Sequence, residues 1–297
     1  RNDYVAHLGD NLTYTIQYAN RTGVALEEVV IKANFLGDMF DTTSIHGNAD
    51  IDTVTNTLTW NASNVPSLKS IDPGSIGEVS FNVNLKDKFL IQRLSDKNFK
   101  VKVNVTVDTK TVPPELTAGK ISGSASLETK LAGLTTIDSE AYYRDSAAVI
   151  LNTGEMPPKV NKPTTFTVHW IIKNYSTDIK NVEVRTYLKS GVRFTGVEKS
   201  NIDSVPLYND RNQEVVWQIP KIIATKGVIG APIEATFQIE ATPNATEVGQ
   251  YKNLIGDTKL NASDEFTGLE IVDADPAIDT SLPDDKTLDP NSGRVVE

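Results

Sequence analysis

Apolar and polar residues alternate along much of this chain with the period of two that is typical of half-buried β-strands. In one stretch Leu12, Tyr14, Ile16 and Tyr18 fall on one face, while threonine and glutamine fall on the other. The same alternation recurs in the segments IGEVSFNVNL, KVKVNVTV and FTVHWII. No window of adequate length shows the 3.6-residue apolar period of an amphipathic helix. The pattern therefore predicts an all-β chain of antiparallel strands.

The chain also repeats its own pattern. The segment GDNLTYTIQYAN has a partner in KPTTFTVHWIIKN, and three later landmarks follow both segments in the same order. At offsets between 152 and 157 residues, the matched positions are Tyr14, Asn20, Trp60 and Phe81 with Phe166, Asn174, Trp217 and Phe237. A repeat of this length is a whole domain. We therefore expect two β-sandwiches in tandem.

The predicted domain boundaries follow from the repeat. We place the first sandwich at residues 1–114 and the second, larger one at residues 115–283. The stretch 115–152 carries apolar residues and tyrosines beside its glycine and serine content. It is therefore interpreted as connector strands that open the second sandwich, not as a flexible linker. Residues 284–297 are polar and contain proline, which predicts a tail or a last edge strand.

Charge and composition exclude several classes of function. The 29 Lys and Arg residues are outnumbered by 39 Asp and Glu, for a net charge of −10, which argues against nucleic acid as a partner. The chain of 297 residues has no cysteine, which excludes disulfides and favours a prokaryotic exterior over a secreted eukaryotic context. No stretch approaches the roughly 20 apolar residues of a membrane-spanning helix. Because the chain begins at Arg1, we expect it to be part of a longer protein.

The sequence gives no sign of catalysis. Its three histidines, His7, His46 and His169, fall on separate predicted elements without ligand-like spacing. His169 lies between two inward residues and is expected to be solvated on the outer face of its strand. Nucleophile elbows, phosphate-binding loops, dinucleotide fingerprints and zinc-protease motifs are all lacking. We therefore predict that the chain is not an enzyme.

An acidic run near the end of the second sandwich is the best candidate for a cation site. Asp273, Asp275 and Asp279 could supply the hard oxygen ligands that calcium prefers. Their spacing does not match the calcium-binding loop of an EF-hand, and solvated acids are the alternative interpretation. Calcium is the one cofactor that the sequence suggests.

Seven Asn-x-Ser/Thr sequons could carry glycans. Asn20 and Asn174 occupy matching repeat positions at a strand end, where a side-chain contact to a turn explains them equally well. The candidates for glycosylation are Asn11, Asn61, Asn104, Asn244 and Asn261.

Sugar stacking and an isopeptide bond are two further chemistries that the residue types allow. Trp60 and Trp217 could stack on sugars, but their place in alternating strands predicts core positions. An isopeptide bond would need a lysine in the core, whereas Lys32, Lys100 and Lys102 are predicted to point outward.

The first repeat resembles a known family. The segment GDNLTYTIQYANRTGVALEEVVIKANF, followed by LTW and IDPGSIGEVSFNV, is similar to the conserved-repeat domain of unknown function found in tandem in large prokaryotic cell-surface proteins. The second copy is similar to companion modules predicted in uncultivated ultra-small bacteria. It departs from the pattern by replacing Gly-Asp with Lys162-Pro163. The resemblance implies immunoglobulin-like sandwiches at the cell exterior, and it carries over no catalytic residues.

Together, these observations predict a non-catalytic structural or adhesive segment of a multidomain extracellular protein. Its partners would be other domains of the same chain or neighbouring surface proteins. One alternative is a subunit of an S-layer or fibre, assembled through an edge strand such as 3–8. The other is a module that binds a glycan or a host-cell protein through loops that begin at Asp41 or Lys199.

Overall fold

The computed structural model describes residues 4–112, 121–289 and 291–297, and all of its long elements are β-strands. The described chain divides into two compact units. The first unit comprises the residues up to Leu90 together with Asn98–Ala132, and the second comprises Ile91–Lys97 together with Gly133–Glu297. Each unit has its own hydrophobic core. The predicted all-β fold class is confirmed.

The strands of the first unit are β1 (Tyr4–Ala6), β2 (Asn11–Ala19), β3 (Leu26–Glu27), β4 (Val30–Leu36), β5 (Phe40–Gly47), β6 (Asp50–Asp52), β7 (Thr57–Trp60), β8 (Ser70–Ile71), β9 (Ile76–Leu85), β10 (Lys100–Thr109) and β11 (Ile121–Leu131). They form a six-stranded sheet in the order β1-β11-β10-β4-β7-β6, a three-stranded sheet in the order β2-β9-β5, and a short β3-β8 ladder. Side chains of both main sheets share one core, in which the rings of Trp60 and Phe81 lie 5.9 Å apart.

The strands of the second unit are β12 (Thr135–Tyr142), β13 (Thr164–Asn174), β14 (Ile179–Tyr187), β15 (Val192–Ser200), β16 (Leu207–Asn209), β17 (Glu214–Ile222), β18 (Ile233–Ala241), β19 (Asn253–Ile255), β20 (Thr258–Asp264), β21 (Glu270–Asp275) and β22 (Ile278–Asp279). Its main sheets have the orders β12-β13-β18-β15 and β16-β17-β14-β20-β21. In the immunoglobulin constant-type sandwich, strands A, B, E and D face strands C, F and G. In the second unit β12, β13, β18 and β15 take the places of strands A, B, E and D, and β14, β20 and β21 take those of C, F and G, with β16 and β17 as additional strands beside β14.

The duplicated landmarks lie in equivalent places. Trp60 pairs with Ile31 on β4, and Trp217 pairs with Val184 on β14. Both tryptophans are fully buried, which confirms the prediction that they belong to the cores. The register of the other sheet differs by two residues, because Tyr14 lies opposite Phe81 whereas Val168 lies opposite Phe237. A shift of two keeps every side chain on its own face.

The boundary between the units differs from the predicted one. Strand β11 pairs with β10 along its length, from Lys100 opposite Lys130 to Thr109 opposite Ile121. The first unit therefore extends to Ala132, and only the part of the predicted connector from Gly133 onward belongs to the second. The serine, glycine and alanine content of β11 hides its alternation. The predicted boundary at 114/115 itself lies outside the described residues.

The segment 284–297 is part of the second unit and not a free tail. Val295 is buried, and isolated bridges join Lys159 to Val296 and Tyr251 to Arg294. Asp285 is also buried, and its carboxylate accepts hydrogen bonds from the amides of Tyr143 and Arg144. In the described part of this segment no continuous strand forms.

The predicted edge strand 3–8 is shorter than expected. Strand β1 spans Tyr4–Ala6 and pairs in parallel with β11, and Asp3 lies outside the described residues.

No helix of the described chain is long and apolar enough to cross a membrane.

Candidate functional site

The predicted calcium ligands serve another purpose in the structure. The carboxylates of Asp273 and Asp275 on β21 accept hydrogen bonds from the backbone amides of Ile137 (2.8 Å) and Ser139 (3.0 Å) on β12. Burial raises the pKa of Asp275, and the nearby charges of acidic side chains such as Asp273 add to this increase. These two aspartates therefore join the edges of the two sheets of the second unit.

The third candidate ligand, Asp279, accepts a hydrogen bond from the amide of Ser281. Within the described ranges, no group of three or more His, Cys, Asp or Glu residues is arranged to hold a metal ion. Calcium binding by these three aspartates stays a prediction from the sequence.

The duplicated asparagines form the same brace in both units. The side-chain amide of Asn20 donates to the carbonyls of Val24 (2.8 Å) and Ile71 (2.7 Å). That of Asn174 donates to the carbonyls of Thr177 (2.8 Å) and Ile223 (3.0 Å). Both side chains are buried, so they hold a turn against the end of a strand. This confirms the turn contact that their repeat positions suggest.

The five glycosylation candidates lie at exposed or half-buried positions. Asn61 and Asn244 accept backbone hydrogen bonds from Ser63 and Thr246, which places these two sequons in tight turns. The other three, Asn11, Asn104 and Asn261, lie on strands β2, β10 and β20. Glycosylation of these positions stays a prediction from the sequence.

The three candidate lysines for an isopeptide bond lie on the outer face of the larger sheet of the first unit. Lys32 and Lys100 are exposed, and Lys102 lies on the same face between the buried residues Val101 and Val103. Lys100 forms an ion pair with Glu128 (3.0 Å). Their predicted outward orientation is confirmed.

His169 lies in a buried ion-pair network that the sequence does not predict. Its Nε2 is 2.6 Å from the carboxylate of Asp145, and its Nδ1 is 2.7 Å from that of Glu234. The residue is 4% exposed. The prediction of a solvated histidine is therefore wrong. Alternation correctly places it on the outer face of β13, but the segment after β12 covers that face.

The electrostatics of this network favour charge pairing. Burial acts to raise the pKa of Asp145, but hydrogen bonds from His169, the Ala148 amide and Thr167 outweigh it, so the pKa is below its ordinary value. Only the imidazolium, with a proton on each nitrogen, donates to both carboxylates at once. Burial, followed by a hydrogen bond to Glu140, raises the pKa of Tyr142, whose ring contacts His169 edge-on.

This arrangement favours a structural role over catalysis. A histidine that transfers protons needs one nitrogen that reaches substrate, whereas both nitrogens of His169 face protein carboxylates in a buried setting. A signal for this burial is present in the sequence: the outward positions of β13 are Thr165, Thr167, His169 and Ile171, and strands buried on both faces carry few charges.

An apolar groove lies between the two sheets of the first unit. This groove, the β2 groove, has a volume of about 410 Å³ and is lined mainly by apolar surface. Ile16 and Tyr18 of β2 form one wall, and Val105 and Val107 of β10 with Ala125 of β11 form the other. The side chains of the four larger residues are half-buried. The sandwich is therefore incompletely closed here.

The two loops predicted to bind ligands differ in structure. The segment that begins at Asp41 forms strands β5 and β6 and the turns beside them. The segment that begins at Lys199 borders a shallow groove of about 560 Å³ with a mixed polar and apolar lining, which includes Ser204, Tyr208 and Gln218. The ring of Tyr208 stacks on Phe194 at 5.3 Å, so one of its two faces is already covered.

No family model matches the chain, and no curated protein matches its sequence. Solved structures similar to it include the C-terminal domain of AspA, an antigen I/II-family protein of Streptococcus pyogenes, with 11% identity and a TM-score of 0.37 over 94% of this chain and 95% of that chain. The C-terminal domain of the Streptococcus agalactiae antigen I/II polypeptide BspA gives 9% identity and a TM-score of 0.34, with 93% and 94% covered. The full-length major pilin SpaD of Corynebacterium diphtheriae gives 11% and 0.34, with 86% and 59% covered. A likeness at this level carries no conclusion about function.

Proposed function

We propose that the chain is a non-catalytic structural or adhesive segment of a multidomain protein at the cell exterior. The observation that carries this proposal is what the repeat preserves. The buried tryptophans and the asparagine braces occur in both units, whereas the His169 network and the β2 groove each occur in one. The duplicated positions thus maintain a scaffold.

The scaffold suits a load-bearing or spacing role. Each unit packs two sheets around aromatic side chains, and close-packed cores of this kind resist deformation. Buried ionisable side chains are paired within the protein, as His169 is with Asp145 and Lys252 is with Glu247. We propose that the partners are further domains of the same long chain or neighbouring surface proteins, and that contacts to glycans or host proteins use the surfaces that differ between the units.

The proposal is tested on cells of the organism that makes the protein. Antibodies raised against the full chain should label intact cells, and protease added outside the cells should remove the label. Label that appears only after lysis would contradict an exterior location. Beads coated with the chain and scored for attachment to cells would then separate an adhesive role from a purely structural one.

A further inference from the structure

The two units differ at one edge of the sheet that contains the repeated strand. In the second unit β13 pairs on one side with β18 and on the other with β12. In the first unit the equivalent strand, β2, pairs with β9, and none of the described residues pairs with its other edge. Among the described residues of the first unit, no strand therefore takes the place that β12 has in the second.

Strand register shows that the β2 groove of the first unit is equivalent to the space that β12 fills in the second. In the first unit Ile31 lies opposite Trp60 on one neighbouring strand and opposite Val107 on the other. In the second unit Val184 lies in the same way between Trp217 and Leu260. Val107 is thus equivalent to Leu260, and Val105, two residues earlier, is equivalent to Thr258.

Strand β12 occupies this position directly. Thr258 donates a hydrogen bond to the hydroxyl of Ser139 on β12 (3.1 Å), whereas its counterpart Val105 lines the open groove. The repeat itself therefore shows what kind of structure closes such a groove, namely an extended strand.

The inner face of β11 gives a second indication that the groove is uncovered. Thr129 and Leu131 point inward and are buried. Ala125 lies on the same face by alternation and pairs with Val105, yet it is exposed. An inward residue becomes exposed in a sandwich where the covering element is lacking.

The backbone of β2 is also arranged to accept a strand. The Leu85 amide donates to the Asp10 carbonyl at one end of the β2–β9 pair, and the Asn20 amide donates to the Ser75 carbonyl at the other. In an antiparallel ladder the bonded positions alternate. The even-numbered residues of β2 therefore bond to β9, and the amides of the odd-numbered residues face the open edge: Thr13, Thr15, Gln17 and Ala19.

We propose that the β2 groove accepts an extended segment of a different polypeptide, which adds to β2 as an antiparallel strand. Strand addition gains backbone hydrogen bonds from the open edge, and alternate side chains fill the groove. The inference stands on the geometry of the first unit and does not depend on a surface location.

The chemistry of the donor strand follows from β12. The inward residues of β12 are small or medium in size: Thr135, Ile137, Ser139 and Ala141. Because Val105 replaces Thr258, the residue that corresponds to Ser139 should be apolar. The donor is thus a segment with small apolar side chains at every second position.

A different polypeptide is the occupant that fits best. Strand β1 of the chain itself is paired with the far end of β11, where Tyr4 lies opposite Thr129. A second copy would bring together two chains that each carry a net charge of −10, and like charge opposes self-association.

The test uses the full chain and a labelled peptide with the sequence of β12 in which Ser139→Val makes the central position apolar. Fluorescence anisotropy should show saturable binding. Amide exchange should slow at the four odd-numbered residues of β2 when the peptide is bound. Ala125→Trp, which fills the groove, should weaken binding about tenfold or more. Ser126→Trp, on the outer face of the same strand, is the matched control and should leave binding unchanged.

A peptide of the same composition with its alternation shifted by one residue tests the proposal without altering the protein, and it should not bind. The proposal is overturned if the β12 peptide does not bind at millimolar concentration, or if the shifted peptide or the Ala125→Trp chain binds equally well. Protection of the odd-numbered β2 amides before peptide is added would mean that the chain fills its own groove. Concentration-dependent dimers that Ala125→Trp abolishes would make a second copy the occupant. Either result overturns the proposed donor.

Discussion

The repeated strand buries its inward side chains only partly in the first unit, as β2, and fully in the second, as β13. In β2, Tyr14 is 8% exposed and the next two inward residues, Ile16 and Tyr18, are half-buried. In β13, the inward residues Phe166 and Val168 are 0% exposed. The covering strand β12 accounts for this difference. Equivalent sequence patterns thus produce different surfaces when a neighbouring element is present in one copy and not in the other.

The largest difference between the two units is expected at the equivalent aromatic positions Tyr18 and Trp170. Trp170→Ala should lower the free energy of unfolding of the second unit by about 3–5 kcal/mol, because the side chain is fully buried and nothing replaces it. Tyr18→Ala should cost the first unit about 1–2 kcal/mol, because this side chain is only half-buried and so loses less contact with the core. Urea unfolding of the two variants measures both values. Equal losses would mean that the two strands are equally covered.

The buried ion pairs distinguish the units next. His169→Ala should cost about 3 kcal/mol or more, since it leaves the buried carboxylate of Asp145 without its partner. His7→Ala is the control in the first unit, where an exposed histidine lies 3.7 Å from Asp10, and it should have little effect. Thermal unfolding of both variants checks this. A small, equal effect of the two changes would contradict the structural role of His169.

The asparagine braces should behave alike in both units. Asn20→Ala and Asn174→Ala each remove a buried amide and leave carbonyl groups without a donor, which should cost about 1–3 kcal/mol. Asn104→Ala, on the outer face of β10, is the control and should be close to neutral. Denaturant titration of the three variants would reveal whether the brace is a shared feature. A loss in one unit alone would mean that the repeat preserves the residue but not its role.

The smallest expected effect is on the stability of the second unit at acidic pH. The pKa of Asp145 is lower in the folded chain than the value near 3.9 of an unfolded aspartate. The unfolded state therefore binds the proton first as pH falls, so this contribution to stability is complete above pH of about 4 and is lost below it. Melting temperatures of the wild type and Asp145→Asn between pH 7 and 3 should converge at the acid end. A constant gap across that range would contradict the assignment.

The parts of the fold that follow from local alternation were predictable. Strands such as β2, β10 and β13, the buried tryptophans and the paired asparagines all express a period or a repeat that one sequence contains. Residues 115–152 are correctly predicted to contain strands, but β11 is assigned to the wrong unit, because Gly123 and Ala125 do not stand out as inward residues that would pair it with β10.

The site features depend on contacts that are distant in sequence. The environment of His169 is set by Asp145 and Glu234, which lie 24 and 65 residues away along the chain, and alternation describes one strand only. Likewise, Asp273 and Asp275 read as solvated acids or calcium ligands until the edge of β12 is known to lie beside them. The β2 groove likewise depends on which strand lies beside β2, and the alternation within β2 does not show this.

Amide hydrogen exchange of the full chain, resolved by residue, would show whether the first unit is open at the edge where the second is closed by its own strand. We expect fast exchange at Thr13, Thr15, Gln17 and Ala19, and slow exchange at the amides along β13, which pairs on both sides. Equal protection of these β2 amides and those of β13 would contradict this expectation.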